Sequence, residues 1–486
     1  MEDKNKKKYH IQLEKHKWPD EIKAENDQRR RRLLLGVAVL IVLAILLPLI
    51  FKNTQFINGF SSNDDKIKEI LEDNWFYSDG DLKKDSEDLV KKGQLDSSKD
   101  KYTKYYNNEE YKQMEARLEG KTKGLGVRLI SIDESKFLIS KVYQYSPAHD
   151  AGMKAGDIIV EMGGVKGKKL TSDKMSELIN DVDTIEIKIL RGNEKITLNL
   201  KLKKVDFSIY GSIVDNVGVI EIYSFSESTA EDFEKYLSKF KDAGINNIVI
   251  DLRENGGGYL NTTLDIAGNL IGPDKVLMQQ KNKDGSIEKI KTSKKAVKYN
   301  FDNVAVIINE NSASASEVLA ACLKEHKIAT IIGNTSYGKG TMQSSKMFSD
   351  GSVLKYTIAE WLTPNANKIN GIGVKPDIQV DEHKALSSYA LVFDGQIKVN
   401  EKNTQVAVMK LYLDIMGYKI ENFNDVLEQS DLNELNRFQK ENGYAIRSYF
   451  DIDGYSELIA FSIREFNLHP ELYDKQMIKA LEFVRN

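Results

Sequence analysis

Cysteine is almost absent. The 486 residues contain one, Cys322, so no disulfide within the chain and no cysteine-ligated metal centre can form. Histidine is sparse: His10, His16, His149, His326, His383 and His469 are scattered without an H-x-x-x-H pair, which argues against a zinc hydrolase. Neither sign of charge dominates. The 70 basic and 73 acidic residues give a formal net charge of -3, and that balance provides no reason to expect a nucleic-acid partner. Long apolar runs are missing too, with one exception. LLLGVAVLIVLAILLPLIF, Leu33–Phe51, is 19 residues without a charge, long enough to cross a bilayer as a helix. The 32-residue charged segment before it is too long for a signal-peptide n-region, and no A-x-A site follows, so an anchor is expected rather than a cleaved leader. Arg29–Arg32 precede the span, and the positive-inside rule then puts the N-terminus in the cytosol and residues 52–486 outside.

What is present is too long for one core, and two to four domains are expected. Residues 52–118 are polar, with helical spacing at Ile67, Ile70, Leu71 and Trp75 and a second helix expected in NNEEYKQMEARLEG. From 119 to 205 short strands dominate, GVRLISI, KFLISKVY, DIIVEMGG, TIEIKILRG and KITLNLKLK, with the helix-like TSDKMSELIND between the third and fourth. Gly124-Leu125-Gly126-Val127, Ser146-Pro147-Ala148 and Gly152-Met153-Lys154-Ala155-Gly156-Asp157-Ile158-Ile159 resemble a PDZ domain. There a glycine-flanked loop points backbone N–H groups at a carboxylate, and the following strand edge accepts a peptide. Residues 206–385 alternate buried strands and helices, the pattern of an α/β domain. Residues 386–486 read as a separate helical piece. Arg437-Phe438-Gln439-Lys440-Glu441-Asn442-Gly443 is similar to small peptidoglycan-binding repeats, and a packing or dimerising add-on is the alternative.

Three segments of the α/β region carry chemistry. N-E-N-S-A-S-A-S-E, from Asn309, places small hydroxyl residues between a buried strand and a helix. Ser314 and Glu317 fit an S-x-x-E capping box, and taken alone the motif favours a cap. The same geometry sets a hydroxyl beside free N–H groups that can stabilise an oxyanion. Asp251-Leu252-Arg253-Glu254-Asn255-Gly256-Gly257-Gly258 follows another buried strand; its glycines allow close backbone approach to a ligand, or simply make a mobile turn. The third segment, GNTSYGKGT, Gly333–Thr341, is nearly a phosphate loop, but Gly340 stands where Mg²⁺ needs a hydroxyl, and the residues after it alternate as strands around an S-D-G turn. Lys339 is then either a solvated loop charge or a base for a serine, a role that requires it to be neutral. Gly338 and Gly340 allow tight packing around it, and Gln343 can orient its amine.

S-A-S-A-S-E followed by Gly338-Lys339-Gly340 and Gln343 resembles the carboxyl-terminal processing (tail-specific) peptidases. The resemblance implies Ser314 as nucleophile, Lys339 as general base 25 residues later and Gln343 as third member of the set. It implies an oxyanion hole from the N–H of Ala315 and of Gly257 or Gly258, with no metal and no cofactor. Lys101-Tyr102-Thr103 with Tyr105, and Gly371-Ile372-Gly373-Val374-Lys375-Pro376-Asp377, extend the match from about Lys101 to Val380. Glu254 departs from the family's neutral polar residue in the D-L-R loop, and the Lys101 segment lacks an Asp-Pro. The fold implied is multidomain α+β: an N-terminal transmembrane helix, a PDZ β-sandwich-like domain, an α/β (ClpP/crotonase-like) serine protease core and a helical C-terminal domain. The expected activity is that of a membrane-anchored extracytoplasmic serine endopeptidase. It would take unfolded or flexible protein C-termini through Gly124–Val127 of the PDZ domain. Its other expected contacts are the bilayer through Leu33–Phe51, a second copy in a homodimer, and peptidoglycan. Rival readings are a scaffold with a dead core, a Ser-Lys acyl transferase, whose S-D-N and K-T-G signatures are absent, and a nucleotide hydrolase.

Overall fold

The computed structural model describes residues 63–78, 81–95, 100–118, 123–132, 136–180, 182–204, 207–386 and 395–486. The expected span Leu33–Phe51 and the charged segment before it lie outside the described residues. Among the described residues no helix is long and apolar enough to cross a membrane. The chain divides into two compact units.

One unit gathers the described part of Met1–Met114 with Gln280–Glu288 and Thr341–Trp361. Helix Asn63–Asn74 presents Ile67 and Leu71, four residues apart, on one face. They pack with Trp75 and with Leu89 of helix Leu82–Lys92 against Phe348, Leu354 and Tyr356. Thr341–Met347 and Val353–Leu362 form the hairpin expected around the S-D-G turn, and Lys104–Tyr106 pairs with its second strand. The Lys101-Tyr102-Thr103 segment is a seam inside this unit. Asp100 accepts from Trp75 Nε1 at 3.0 Å and from Thr103 Oγ1 at 2.6 Å, and Thr103 Oγ1 accepts from Thr357 N at 3.1 Å.

In the second unit the expected strand–helix alternation builds a six-stranded sheet. Its order is Ile209–Val214, Val217–Ile222, Asn247–Asp251, Asn303–Ile308, Thr330–Gly333 and Ile378–Gln379. The first pair is antiparallel and the others are parallel. Parallel neighbours need crossovers, and the first three of the four contain helices Thr229–Asp242, Leu260–Ile271 and Ala315–Glu325, while the last runs through Thr341–Met347 and Val353–Leu362. Gly218 shows which face they cover, since a Cβ there would lie 2.5 Å from the Phe240 ring. Its neighbours Val217 and Val219 point the other way, onto Ala480 and Val484 of the last helix, Lys475–Arg485. Register aligns Asp251 with Ile307 and Ile308 with Gly333, so three adjacent strands end together. Open parallel sheets bind ligands just outside such carboxyl ends. Here those ends launch D-L-R-E-N-G-G-G, S-A-S-A-S-E and the glycine-lined lysine loop.

The same unit holds an antiparallel sheet in the order Val127–Ser131, Phe137–Val142, Ile158–Met162, Thr184–Arg191, Glu194–Lys201, with helix Ser172–Asn180. Val127–Ser131 is an edge strand. Gly126, at φ 74°, enters it so close to Ser146 that a Cβ would lie 2.2 Å from the serine's own, and Ala148 N donates to Leu125 O at 2.9 Å. Helices Thr404–Ile415, Gln429–Glu441 and Ile452–Leu468 share a core with Ile132, Leu138, Ala155 and Ile158 of this domain. Phe438 and Gln439, which carry the similarity to peptidoglycan-binding repeats, are fully buried in that packing.

Candidate active site

The three serines of S-A-S-A-S-E have different fates. Ser312 is buried and donates to Leu252 O at 2.8 Å, and Ser316 is buried and donates to Asn255 O at 2.9 Å. Both fasten the strand-to-helix turn onto the D-L-R-E-N-G-G-G loop, helped by Ala313 N donating to Asn255 O at 3.0 Å. Ser314 between them is partly exposed and sits at φ 57°, ψ -115°. An ordinary N-cap is extended. A serine at positive φ on a tight strand-to-helix turn stores strain, as a nucleophile elbow does.

Glu317 joins this turn to the lysine loop. Its carboxylate is fully buried and accepts from Ser314 N at 2.8 Å, Ser336 Oγ at 2.6 Å, Gly338 N at 2.6 Å and Lys339 N at 2.9 Å. Tyr337 N donates to Ser312 O at 3.0 Å, a second tie between the two loops. The backbones that carry Ser314 and Lys339 therefore share one buried anchor. The S-x-x-E spacing predicts a capping box of Ser314 with Glu317, which forms, but it does not reveal this bridge; a buried acid with four donors was not visible in sequence. Gly338 and Gly340 allow tight packing of the loop against the neighbouring backbone. A Cβ at Gly340 would lie 2.3 Å from Asn370 N, and one at Gly338 would lie 3.0 Å from Ile372 N, so the loop fits against Gly371-Ile372-Gly373.

The glycine loop reaches the serine from the other side. A Cβ at Gly257, whose φ is 108°, would lie 2.8 Å from Ser314 Cβ and 3.1 Å from Ala315 N. Gly257 N–H is engaged by Asn255 Oδ1 at 2.8 Å, and Asn255 is itself held through Nδ2 by Ile222 O at 2.8 Å. Ala315 N–H belongs to the first turn of its helix, where backbone donors lack an intrahelical acceptor. Gln343 lies in the other unit, at the irregularity between Met342 and Gln343 of its hairpin, and its Nε2 donates to Thr341 Oγ1 at 2.9 Å.

Other candidates for the chemistry are removed by placement. His326 closes the far end of the serine helix, its Nε2 2.7 Å from Val276 O. Cys322 is buried on that helix, and burial pushes its thiol up to about 12. Glu254, the departure in the D-L-R loop, sits at φ 61° and bonds Asn309 Nδ2 at 2.8 Å and Asn311 Nδ2 at 2.9 Å. Its other oxygen pairs with Arg128 of the edge strand Val127–Ser131 at 2.5 Å. Burial alone would raise the Glu254 carboxyl, but these bonds hold it below the usual carboxylate value.

A strained serine at the end of a parallel strand is thus tied through a buried acid to a glycine-lined lysine loop. Residues 216–380 match the model of peptidase family S41, and residues 123–202 match that of a PDZ domain. The chain is a serine-type peptidase with a PDZ domain, similar to the carboxyl-terminal processing peptidases. It is 29% identical over 456 residues to a "Probable CtpA-like serine protease" of Staphylococcus aureus, covering 91% of this chain and 90% of that protein. A protein of the same description from Staphylococcus haemolyticus is 29% identical over 459 residues, covering 92% and 91%. In fold, the chain is similar to an S41 protease from Bacteroides fragilis, with a TM-score of 0.50 at 18% identity, covering 69% of this chain and 94% of that one.

Proposed function

We propose that the protein is a membrane-anchored endopeptidase outside the cytosol that cleaves flexible protein substrates chosen by their C-terminal tails. Ser314 is the nucleophile. Neutral Lys339 takes the hydroxyl proton as Ser314 Oγ attacks the scissile carbonyl, then gives it to the leaving amine as the acyl-enzyme forms. Water, deprotonated by the same lysine, releases the acyl group and restores the serine. Gln343 orients the lysine amine. Ala315 N–H and the N–H of Gly257 or Gly258 hold the oxyanion; Gly257 N–H must first leave Asn255. The observation that supports this most is the contrast among the serines: Ser312 and Ser316 are buried and bonded, while Ser314 is strained and partly exposed. Ser314→Ala and Lys339→Ala should each abolish proteolysis of fluorescein-labelled casein while far-ultraviolet circular dichroism stays unchanged. Full activity in either variant would sink the assignment.

The PDZ domain takes the substrate's carboxylate at Gly124–Val127 and adds its tail to the edge strand. Arg128 of that strand is bonded through its side chain to Glu254 of the oxyanion loop, which links the strand that takes the tail to that loop. Glu254→Gln should therefore change the ratio of tail-stimulated to basal cleavage, and an unchanged ratio would remove this contact from the gate. Leu33–Phe51 is the anchor in this reading, with peptidoglycan and a second copy as further partners. Membrane fractionation, sedimentation with insoluble peptidoglycan and light scattering test them in turn.

A further inference from the structure

The last helix begins with residues that reach both loops of the site. Asp474 caps it, accepting from Met477 N at 2.8 Å. Its two oxygens also hold the Arg253 guanidinium, Oδ1 at 2.7 Å from Nη1 and Oδ2 at 2.7 Å from Nη2. Arg253 belongs to D-L-R-E-N-G-G-G, and Asp251 grips its other edge at 3.0 Å from Nε and 2.7 Å from Nη2. Glu382 completes the enclosure, 3.6 Å from Arg253 Nη1 while accepting from Gln476 N at 2.8 Å. Two residues after Asp474, the buried Gln476 donates through Nε2 to Asn334 Oδ1 at 2.6 Å and to Val380 O at 2.8 Å. Asn334 follows Gly333 into the loop that carries Lys339, and its N–H is held by Ile308 O at 3.0 Å, at the end of the strand that leads to Ser314.

Apolar packing already seats this helix on the sheet through Ala480 and Val484. A guanidinium enclosed by three carboxylates adds little to that, because desolvation offsets most of the attraction, and apolar side chains serve burial as well. What the bidentate geometry adds is direction. It fixes where Arg253 points, and with it the backbone that continues through Glu254 and Asn255 to Gly257 against Ser314. We propose that Asp474 and Gln476 are positioning residues for catalysis. In this proposal the first turn of the last helix holds the oxyanion loop through Arg253 and the lysine loop through Asn334, keeping both in the register the reaction needs. Burial would raise the Asp474 carboxyl, yet Arg253 holds it below its ordinary value, consistent with a charged clamp. The inference rests on the reading of Ser314 and Lys339 given above.

Steady-state kinetics of the full chain on a quenched-fluorescence peptide with an apolar C-terminus tests it. Asp474→Asn keeps a residue able to cap the helix while removing the carboxylate. It should lower kcat about 10- to 100-fold and leave KM within about threefold and the melting temperature nearly unchanged. Gln476→Met, which leaves the Arg253 clamp intact, should lower kcat independently. Arg253→Gln combined with Asp474→Asn should be no slower than Arg253→Gln alone, since residues acting through one partner are not additive. Near-wild-type kcat in folded Asp474→Asn and Gln476→Met would overturn the proposal, as would losses confined to KM or to thermal stability, or losses that add in the double variant. Ser314→Ala is run alongside. Turnover surviving there contradicts the nucleophile itself, whereas loss there with full kcat in Asp474→Asn contradicts only the clamp.

Discussion

The Glu317 carboxylate carries four donated hydrogen bonds, three of them from backbone N–H groups that no side-chain change can withdraw. Glu317→Gln replaces one acceptor oxygen with an NH₂ that faces donors. Hydrogen bonds to a charged group are each worth about 1.5–3 kcal/mol, so losing two of them should cut kcat/KM at least about 100-fold and lower the melting temperature. Ser316→Ala loses one neutral bond, worth about 1 kcal/mol, and should keep activity within about tenfold of wild type. Kinetics and melting of both variants check the contrast; equal losses would mean that Glu317 has no special role. At this scale sequence was informative about identity and silent about partners. Ser314, Lys339 and the glycines around them could be singled out as candidates because their spacing and strand context are local. The engagement of Gly257 N–H by Asn255, and the four donors on Glu317, depend on how loops fold back, which spacing does not encode.

Three loops meet because three parallel strands end side by side, and that arrangement was readable as strand–loop–helix alternation. The contribution of the last helix was not: Arg253 and Asp474 are separated by 221 residues. The clamp leaves a pH signature. Burial, then the Asp474 charge, pushes Glu382 up to about 7 from an ordinary 4.5. The folded chain therefore holds this proton more tightly than the unfolded chain does. The stability that gives is fully present below pH 4.5 and is lost as pH rises through about 7. Glu382→Gln should flatten the fall in melting temperature between pH 5 and pH 8. A fall as steep as in wild type would show that Glu382 does not titrate in that window.

Across the larger unit, residues 395–486 serve two partners. Their first helices share a core with the PDZ domain and the last one covers a face of the peptidase sheet, so the piece that reads as separate in sequence is built into both. Helical periodicity revealed the helices but not the surfaces they meet, because an apolar stripe does not name its partner. This domain is itself organised around Lys410, fully buried at 2.9 Å from Asp431 Oδ2, Asn424 Oδ1 and Val426 O. Lys410→Ala leaves Asp431 charged and unpaired in the core and should cost about 3–5 kcal/mol. Urea denaturation checks this, and a loss below about 1 kcal/mol would show that water reaches the site.

The central claim, a Ser314 nucleophile activated by Lys339, meets its most direct test in covalent mapping. The tryptic peptide 299–324 spans Ser312, Ser314 and Ser316. After the full chain reacts with a fluorophosphonate, fragment-ion mass spectrometry of that peptide should place the adduct on Ser314 alone, and Lys339→Ala should remove it. An adduct on Ser312 or Ser316, no adduct on Ser314, or undiminished labelling of Lys339→Ala would contradict the claim.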